Sequence, residues 1–160
     1  MNIRKIKEED LEAVSAVCMN SFLESVASTL SEEGNSTFSK IAASDAFLKR
    51  MYEDNLMLVA ECDGKVEGVI EFKKGRHVAM LFVQPEHQRK GIGRKLLSSA
   101  LVYARVGTVT VKASLPSVPM YRKYGFKSEG DIGESAGLVY QPMELELNKP
   151  IQPTANASLV

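Results

Sequence analysis

The sequence has few cysteines and no pattern of metal ligands. Its two cysteines, Cys18 and Cys62, stand alone in apolar stretches, and neither belongs to a CxxC pair. The two histidines, His77 and His87, do not have the spacing that would complete a zinc site with either cysteine. We therefore predict no metal site, and we interpret both cysteines as buried thiols of a protein in a reducing compartment.

Long apolar runs and an excess of one charge are also missing. The longest apolar run is Val78 to Val83, six residues, whereas a membrane helix needs about 20. The start of the chain, MNIRKIKEEDLE, is charged throughout and does not resemble a secretory signal. Twenty basic and twenty acidic residues cancel, which argues against a general nucleic-acid binder. We expect a cytoplasmic protein with no membrane or nucleic-acid partner.

Length and composition are those of one globular domain. The chain has 160 residues, of which 44% are hydrophobic and 25% charged. A chain of this length buries roughly two-thirds of its surface and needs no metal or disulfide to hold its core. We expect a single domain over residues 1–147. The remaining segment, 148–160, is Pro-rich, small and polar, which predicts a flexible C-terminal tail.

The hydrophobic periodicity predicts an α+β fold with a mixed sheet. An antiparallel meander comes first, and its first hairpin turns at Asp63-Gly64, a pair suited to a type I′ turn. A strand–helix–strand unit follows, and the helices must cover both faces of the sheet. The predicted helices are 7–25, 37–43, one starting at 44, 91–103 and 116–124; the predicted strands are 2–6, 56–62, 65–72, 77–83, 109–113, one starting at 126, and 138–147.

Two glycines at a strand-to-helix junction carry the chemical information. Gly91 and Gly93 follow an apolar strand and open an amphipathic helix. Glycine permits positive φ and a close backbone approach, and a helix start offers unpaired N–H groups and a partial positive charge. Between Gln84 and Lys95, four basic residues and one acidic residue leave a local charge of +3. The segment predicts a phosphate site, although it fits neither the Walker nor the Rossmann pattern.

Two separate motifs resemble those of a known family. Gln88-Arg89-Lys90-Gly91-Ile92-Gly93 is similar to the Q/R-x-x-G-x-G/A signature of the GCN5-related N-acetyltransferases (GNAT). The segment from Val111 to Phe126 resembles the family's second signature, N-x-x-A-x-x-x-Y-x-x-x-G-F. The order of elements fits over residues 1–147, so the chain is identified as a small, stand-alone, bacterial-type member of this family.

The resemblance implies both a fold and an activity. It implies the GNAT fold and acetyl-coenzyme A as cosubstrate, with no metal. The acetyl group would pass to a primary amine of a small molecule or peptide by direct attack in a ternary complex. Two alternatives stay open: an acyl-coenzyme A sensor without turnover, and a nucleotide-binding protein that uses the glycine loop for ATP.

The resemblance also implies a cofactor site between the strands 77–83 and 109–113, where the two splay apart. Backbone N–H groups from Gln88 to Arg94 would cradle the pyrophosphate, and the backbone around Phe82 and Val83 would bind the pantetheine. Ser114 stands where the family most often has Asn, and it keeps one hydrogen-bond donor. The implied cofactor-binding residues are Phe82, Val83, Gln88, Arg89, Lys90, Gly91, Ile92, Gly93, Arg94, Lys95, Ser114 and Tyr121.

Tyr121 aligns with the family's tyrosine near the coenzyme sulfur, which implies that it is the general acid. A phenol of pKa about 10 is matched to a leaving thiol of pKa about 8.5; the alternative is that its hydroxyl only bonds to backbone. The general base is Glu71 in our first assignment, and His77 and Glu134 are the other candidates. Strand parity does not choose among them.

The acceptor site would be built from the N-terminal helices and the late hairpin. Four carboxylates of that region would form an acidic rim that suits a cationic amine, or else a solvated helix face. A homodimer paired through late strands is an arrangement the family often uses, and Pro142 marks an edge or bulge in the last strand. The four carboxylates are Glu24, Glu32, Glu33 and Glu134.

Overall fold

A computed structural model describes residues 1–147; the segment 148–160, where we predict a flexible tail, lies outside the described residues. The predicted mixed α+β fold is confirmed, with one eight-stranded sheet in the order β1-β2-β3-β4-β5-β8-β6 and β7 paired with β8. The strands are β1 Asn2–Lys5, β2 Asn55–Cys62, β3 Lys65–Lys73, β4 His77–Val83, β5 Thr108–Ser114, β6 Lys127–Ser128, β7 Gly133–Ser135 and β8 Leu138–Glu146. The helices are α1 Leu11–Ser25, α2 Glu32–Ile41, α3 Ser44–Arg50, α4 Ile92–Leu101 and α5 Val118–Lys123.

The predicted type I′ hairpin is present between β2 and β3. Asp63 and Gly64 have φ of 51° and 76°, as this turn requires at both central positions. The predicted start of α2 was wrong, because the helix begins at Glu32 rather than at Thr37. The side chain of Ser31 caps it by accepting a hydrogen bond from the N–H of Gly34 at 3.3 Å, so a segment that looked like a polar loop is helical.

Two hydrophobic cores lie on the two faces of the sheet. Helix α4 covers one face, where its Leu96 lies in the same core as Phe72 and Val78 of the sheet. Helices α1, α2 and α3 cover the other face, where Cys18 is buried. Cys62 is only half-buried, so our prediction of a buried thiol holds for Cys18 alone.

A bulge in β4 changes which face its residues occupy. Glu71 pairs with Met80, but Phe72 pairs with Val78, which leaves Ala79 as the extra residue. Val78 therefore packs under α4, while Met80 packs under the N-terminal helices.

Strands β4 and β5 run parallel and diverge. They pair only at His77 with Thr110 and at Val78 with Val111. From this vertex, the strands splay toward Val83 and Ser114, which opens the gap that the resemblance implied. Within residues 1–147, no helix combines the length and apolar character that a membrane crossing needs.

Candidate active site

A cavity of about 1200 Å³ occupies the gap between β4 and β5 and continues beneath the N-terminal helices. Its wide end is bordered by the glycine loop and α5, and the vertex by His77 and Val111. A third part reaches Arg50 and Glu71 on the side of α3. One continuous space therefore joins both family motifs to the region where an acceptor would enter.

The glycine loop leaves the first turn of α4 open for an anion. Gly91 occupies the N-cap position with φ of 86°, and no side chain caps the helix. The N–H of Lys95 makes the first intrahelical bond, to the carbonyl of Gly91 at 3.0 Å. The N–H groups before it therefore stay available, with the positive end of the helix dipole behind them. Arg89 also has positive φ, 65°, which shapes the loop into a cradle.

Gly93 is required for packing. A Cβ at this position would lie 2.9 Å from the hydroxyl oxygen of Tyr124. Tyr124 lines the cavity and is covered by the guanidinium of Arg94, 5.0 Å from the ring centroid. The glycine thus lets α4 approach the aromatic group of α5 closely.

Gln88 holds the loop against the end of β4. Its side-chain amide donates to the carbonyl of Val83 at 2.9 Å and to the hydroxyl of Ser21 at 3.2 Å. The first residue of the glycine motif therefore links α1, β4 and the loop through its side chain.

The hydrogen-bond pattern of β4 identifies the peptide groups that face the gap. The N–H of Gln84 donates to the carbonyl of Glu67 on β3 at 2.8 Å. Because antiparallel pairs alternate, the peptide of Phe82 also faces β3, while those of Leu81 and Val83 face the gap. Phe82 instead contributes its ring, which lines the cavity. Leu81 is a gap-facing residue that the sequence did not reveal.

Tyr121 is buried, at 5% exposure, and lines the same cavity. The rings of Phe126 and Tyr124 pack edge-on against it, with centroids 5.3 and 6.3 Å away. Burial and the neighbouring Tyr124 raise the pKa of its phenol, so the hydroxyl keeps its proton at neutral pH. No hydrogen bond within residues 1–147 contributes to this shift.

Ser114 and Ser117 form a closed pair at the end of β5. The Ser114 hydroxyl donates to the Ser117 hydroxyl at 2.9 Å, and the latter donates to the Ser114 carbonyl at 2.8 Å. Both residues line the cavity. The departure from the family's Asn therefore places a hydroxyl group at this wall.

Glu71 lies on β3 and is 2% exposed. Its carboxylate accepts from Nε of Arg50 at 3.0 Å, an ion pair that lets the charge be buried. Arg50 also donates to the carbonyl of Ile41 at 2.9 Å, and its guanidinium lies 4.6 Å from the ring centroid of Phe47. This arginine escaped sequence analysis because it is far from Glu71 along the chain.

His77 stands at the vertex of the gap, with Nδ1 2.8 Å from the hydroxyl of Thr110. Burial lowers the pKa of its imidazole, and the charges of Lys112, Lys73 and Arg76 lower it further. The ring is therefore neutral at pH 7. Glu134, the third candidate for the base, is exposed on β7 and is not part of the cavity wall.

Helix α2 and the β7–β8 turn meet next to the cavity in a contact that we call the arch, formed by Gly34, Thr37, Ala136 and Gly137. The backbones of Gly34 and Gly137 touch: a Cβ on Gly34 would lie 2.2 Å from the carbonyl oxygen of Gly137. Thr37 reinforces the contact by donating to the carbonyl of Ala136 at 2.7 Å. The arch covers an apolar wall formed by Phe22, Val26, Leu30, Phe38, Leu138 and Val139.

The structure brings most of the predicted cofactor residues to one cavity. Four predicted cofactor residues, three of them exposed basic side chains and one a core residue, are not part of the cavity wall. The carboxylates of the expected acidic rim are exposed and also lie outside it. Residues in the wall are Phe82, Val83, Gln88, Arg89, Gly91, Gly93, Ser114 and Tyr121. Residues outside the wall are Ile92, which is buried at the start of α4, the exposed Lys90, Arg94 and Lys95, and the rim residues Glu24, Glu32, Glu33 and Glu134.

Several further wall residues went unnoticed in the sequence. Met120 on α5 and Tyr124 directly after this helix lie close to Tyr121 in the sequence, so the second motif could have revealed them. Lys112 and Tyr140 come from the paired strands β5 and β8. Their approach depends on a strand pairing that the sequence alone did not specify.

Comparison with known proteins agrees with this geometry. Residues 26–147 match a family described as an acetyltransferase (GNAT) domain. The chain is 26% identical over 145 residues to spermidine N(1)-acetyltransferase of Escherichia coli K12, covering 82% of this chain and 75% of the relative. It is 33% identical over 116 residues to an uncharacterized N-acetyltransferase of Archaeoglobus fulgidus, covering 65% and 74%. The PaiA N-acetyltransferase of Thermoplasma acidophilum, solved with coenzyme A, is 27% identical with a TM-score of 0.76, covering 91% and 98%.

Proposed function

This chain belongs to the GNAT acetyltransferases, and we propose that it moves an acetyl group from acetyl-coenzyme A to a primary amine by direct attack in a ternary complex. The observation that carries the proposal is the shared cavity. It has an open helix N-terminus at Gly91 and a protonated, buried phenol at Tyr121. An anion cradle and a proton donor in one cleft suit a phosphorylated thioester better than they suit a nucleotide alone.

The residues of the cavity fit the parts of acetyl-coenzyme A in order. The N–H groups at the start of α4 would hold the pyrophosphate. The peptide groups of Leu81 and Val83 face the gap and would bind the pantetheine as an added strand does. When bound, acetyl-coenzyme A supplies the acetyl group and a thiolate leaving group.

Tyr121 would hold a proton for that thiolate. Its buried phenol is neutral, and a neutral donor next to a departing anion lowers the barrier by general acid catalysis. Tyr121 lines the cavity together with Ala113 and Ser114 of β5, which suits this role.

Glu71 and His77 are the two candidates for removing the amine's proton. Glu71 is ion-paired with Arg50, whereas His77 is neutral and lies at the vertex of the gap. The pH profiles of Glu71→Gln and His77→Gln distinguish them, because only loss of the base removes the acid limb of kcat/KM. If both variants keep the acid limb of the kcat/KM profile, neither side chain is the base.

The relative that acts on spermidine makes a polyamine the first acceptor to test. The experiment for the cosubstrate is thermal unfolding with acetyl-coenzyme A, with ATP and NAD as controls. A ligand at a hundred times its Kd stabilises the folded state by about 2.7 kcal/mol. A shift with acetyl-coenzyme A, followed by thiol release with an amine, supports the proposal. A shift only with ATP would favour nucleotide binding, and cofactor binding without thiol release from any amine would favour an acyl-coenzyme A sensor.

We also propose that residues 1–147 form one domain that acts as a unit in this reaction. Both cores share the same sheet. Loss of the helices on either side would therefore leave one face of that sheet uncovered. A stable, active fragment ending at residue 147 would support this assignment. Separate unfolding transitions for the two faces would contradict it.

A further inference from the structure

The acceptor end of the cavity is electropositive. Arg50 and Glu71 neutralise each other, which leaves Lys73 and Lys112 as the unneutralised cations near the vertex. The other cations of the wall, Arg89 and Lys123, belong to the glycine loop and to α5. Neither lysine forms a salt bridge with any residue of the described range 1–147. Glu53 is the other carboxylate that the described part of the wall contains, and it lies at the exposed rim.

The two lysines lie on the same face of the sheet as His77. Lys73 pairs with His77 across β3 and β4, and Thr110, the partner of His77 on β5, is two residues before Lys112. Alternation along β5 therefore places Lys112 on the His77 side. Both ammonium groups act on the His77 ring, where their charges lower its pKa.

Lys112 is held in position by an aromatic ring. Its Nζ lies 5.0 Å from the ring centroid of Tyr140, within the range of a cation–π contact. Tyr140 lies opposite Ser114 on β8 and lines the cavity. Lys112 is itself an exposed residue of the cavity wall, so its ammonium group is available to an anion.

The opposite wall beneath the arch is apolar. Phe22 and Phe38 stack with centroids 4.0 Å apart, and Phe82 meets Phe38 edge-on at 5.4 Å. These rings line the same cavity as the two lysines. A polyamine offers neither an anion for the lysines nor a bulky apolar group for the rings.

We infer that the acceptor is a small amine that also carries a carboxylate and an apolar side chain, such as a hydrophobic amino acid, with Lys73 and Lys112 binding its carboxylate. This inference rests on the proposed function and specifies its substrate class. The carboxylate would replace water around two cations that have no anionic partner within residues 1–147. The apolar side chain would lie against the wall beneath the arch.

The test compares matched amines. Phenylalanine and phenethylamine differ only in the carboxylate, and spermidine represents the polyamines. We expect kcat/KM for phenylalanine to exceed that for phenethylamine by at least tenfold, since one charged contact changes affinity by about that factor. Equal or better use of phenethylamine or spermidine would overturn the inference while leaving the acetyltransferase proposal intact.

Variants assign the effect to the lysines. Lys112→Met and Lys73→Met should each raise the KM for phenylalanine about tenfold relative to that for phenethylamine. Lys65→Met is the matched control, because Lys65 is exposed on the far end of β3 and outside the cavity wall. An equal change of KM for both amines would contradict carboxylate recognition.

Calorimetric binding to the protein saturated with coenzyme A gives a result even without turnover. Tighter binding of phenylalanine than of phenethylamine supports the inference, and a lack of preference overturns it. Failure of the protein to bind acetyl-coenzyme A at all would instead refute the proposed function, so the two failures are distinguishable.

Discussion

The arch between α2 and the β7–β8 turn provides a sharp test, the substitution Gly34→Ala. The added Cβ would lie 2.2 Å from the carbonyl oxygen of Gly137, where ordinary contact begins at 3.4 Å. The obstructing atom belongs to backbone, so it cannot turn aside, and α2 must shift. Overpacking of this kind costs roughly 1–3 kcal/mol, offset by the higher helix propensity of alanine, about 1 kcal/mol.

The expected net loss for Gly34→Ala is therefore up to about 2 kcal/mol, or a Tm lower by several degrees for a domain of this size. Because the arch covers the acceptor end, KM for the amine should rise while KM for acetyl-coenzyme A stays constant. Gly107→Ala is the control, since a Cβ there meets nothing. If Gly34→Ala changes neither the Tm nor the KM for the amine, the close contact of Gly34 with Gly137 is refuted.

Four further predictions concern the site. Tyr121→Phe keeps the ring packing and should lower kcat about 100-fold or more, with acetyl-coenzyme A binding preserved by calorimetry; a normal kcat would exclude the phenol as acid. In Gly91→Ala, the added Cβ meets no atom, but the alanine must adopt φ of 86°. Thermal unfolding should show a free energy of unfolding lower by about 1–2 kcal/mol and weaker stabilisation by acetyl-coenzyme A. An unchanged Tm would argue against the left-handed cap. Arg50→Met leaves a buried carboxylate unpaired, and urea unfolding should show a loss of about 3–5 kcal/mol; a loss below 1 kcal/mol would mean that the pair is not buried in solution. The pKa of His77 is lowered in the folded protein, so stability should fall as pH drops below the unfolded pKa of about 6.5; a His77→Gln variant with the same fall between pH 7 and 5 would contradict this.

The parts of the site that the sequence predicted are those encoded by contiguous residues. The glycine loop and Tyr121 each lie within a short motif whose spacing is readable along the chain. Their placement in one cavity follows from the strand–helix–strand unit, which hydrophobic periodicity also reveals. The Asp63-Gly64 turn was predictable for the same reason, because one dipeptide dictates its geometry.

The parts that escaped prediction depend on contacts between distant segments. The ion pair of Arg50 with Glu71 forms only after α3 packs on β3. The bulge at Ala79 is a register shift that does not interrupt the apolar run. The contact of Gly34 with Gly137 joins two glycines that each look like an ordinary loop residue in the sequence.

The four predicted rim carboxylates lie outside the cavity wall. The resemblance assigned their region to the acceptor site, which suggested an acidic entrance, but exposed carboxylates are most stable when they face solvent. Glu32 and Glu33 instead occupy the first turn of α2, where they favour the helix start. The charges that do line the acceptor end, those of Lys73 and Lys112, come from strands and are visible only in the fold.

Acetyl transfer from acetyl-coenzyme A to an amine can be followed with a label in the acetyl group. The protein is incubated with the labelled acetyl-coenzyme A and a panel of amines, and labelled product is detected by mass spectrometry. We expect label on an amine nitrogen, one free thiol released per product, and a rate at least about 100-fold lower for Tyr121→Phe. Tight binding of acetyl-coenzyme A with no labelled amine and no thiol release would show that the protein does not transfer the acetyl group.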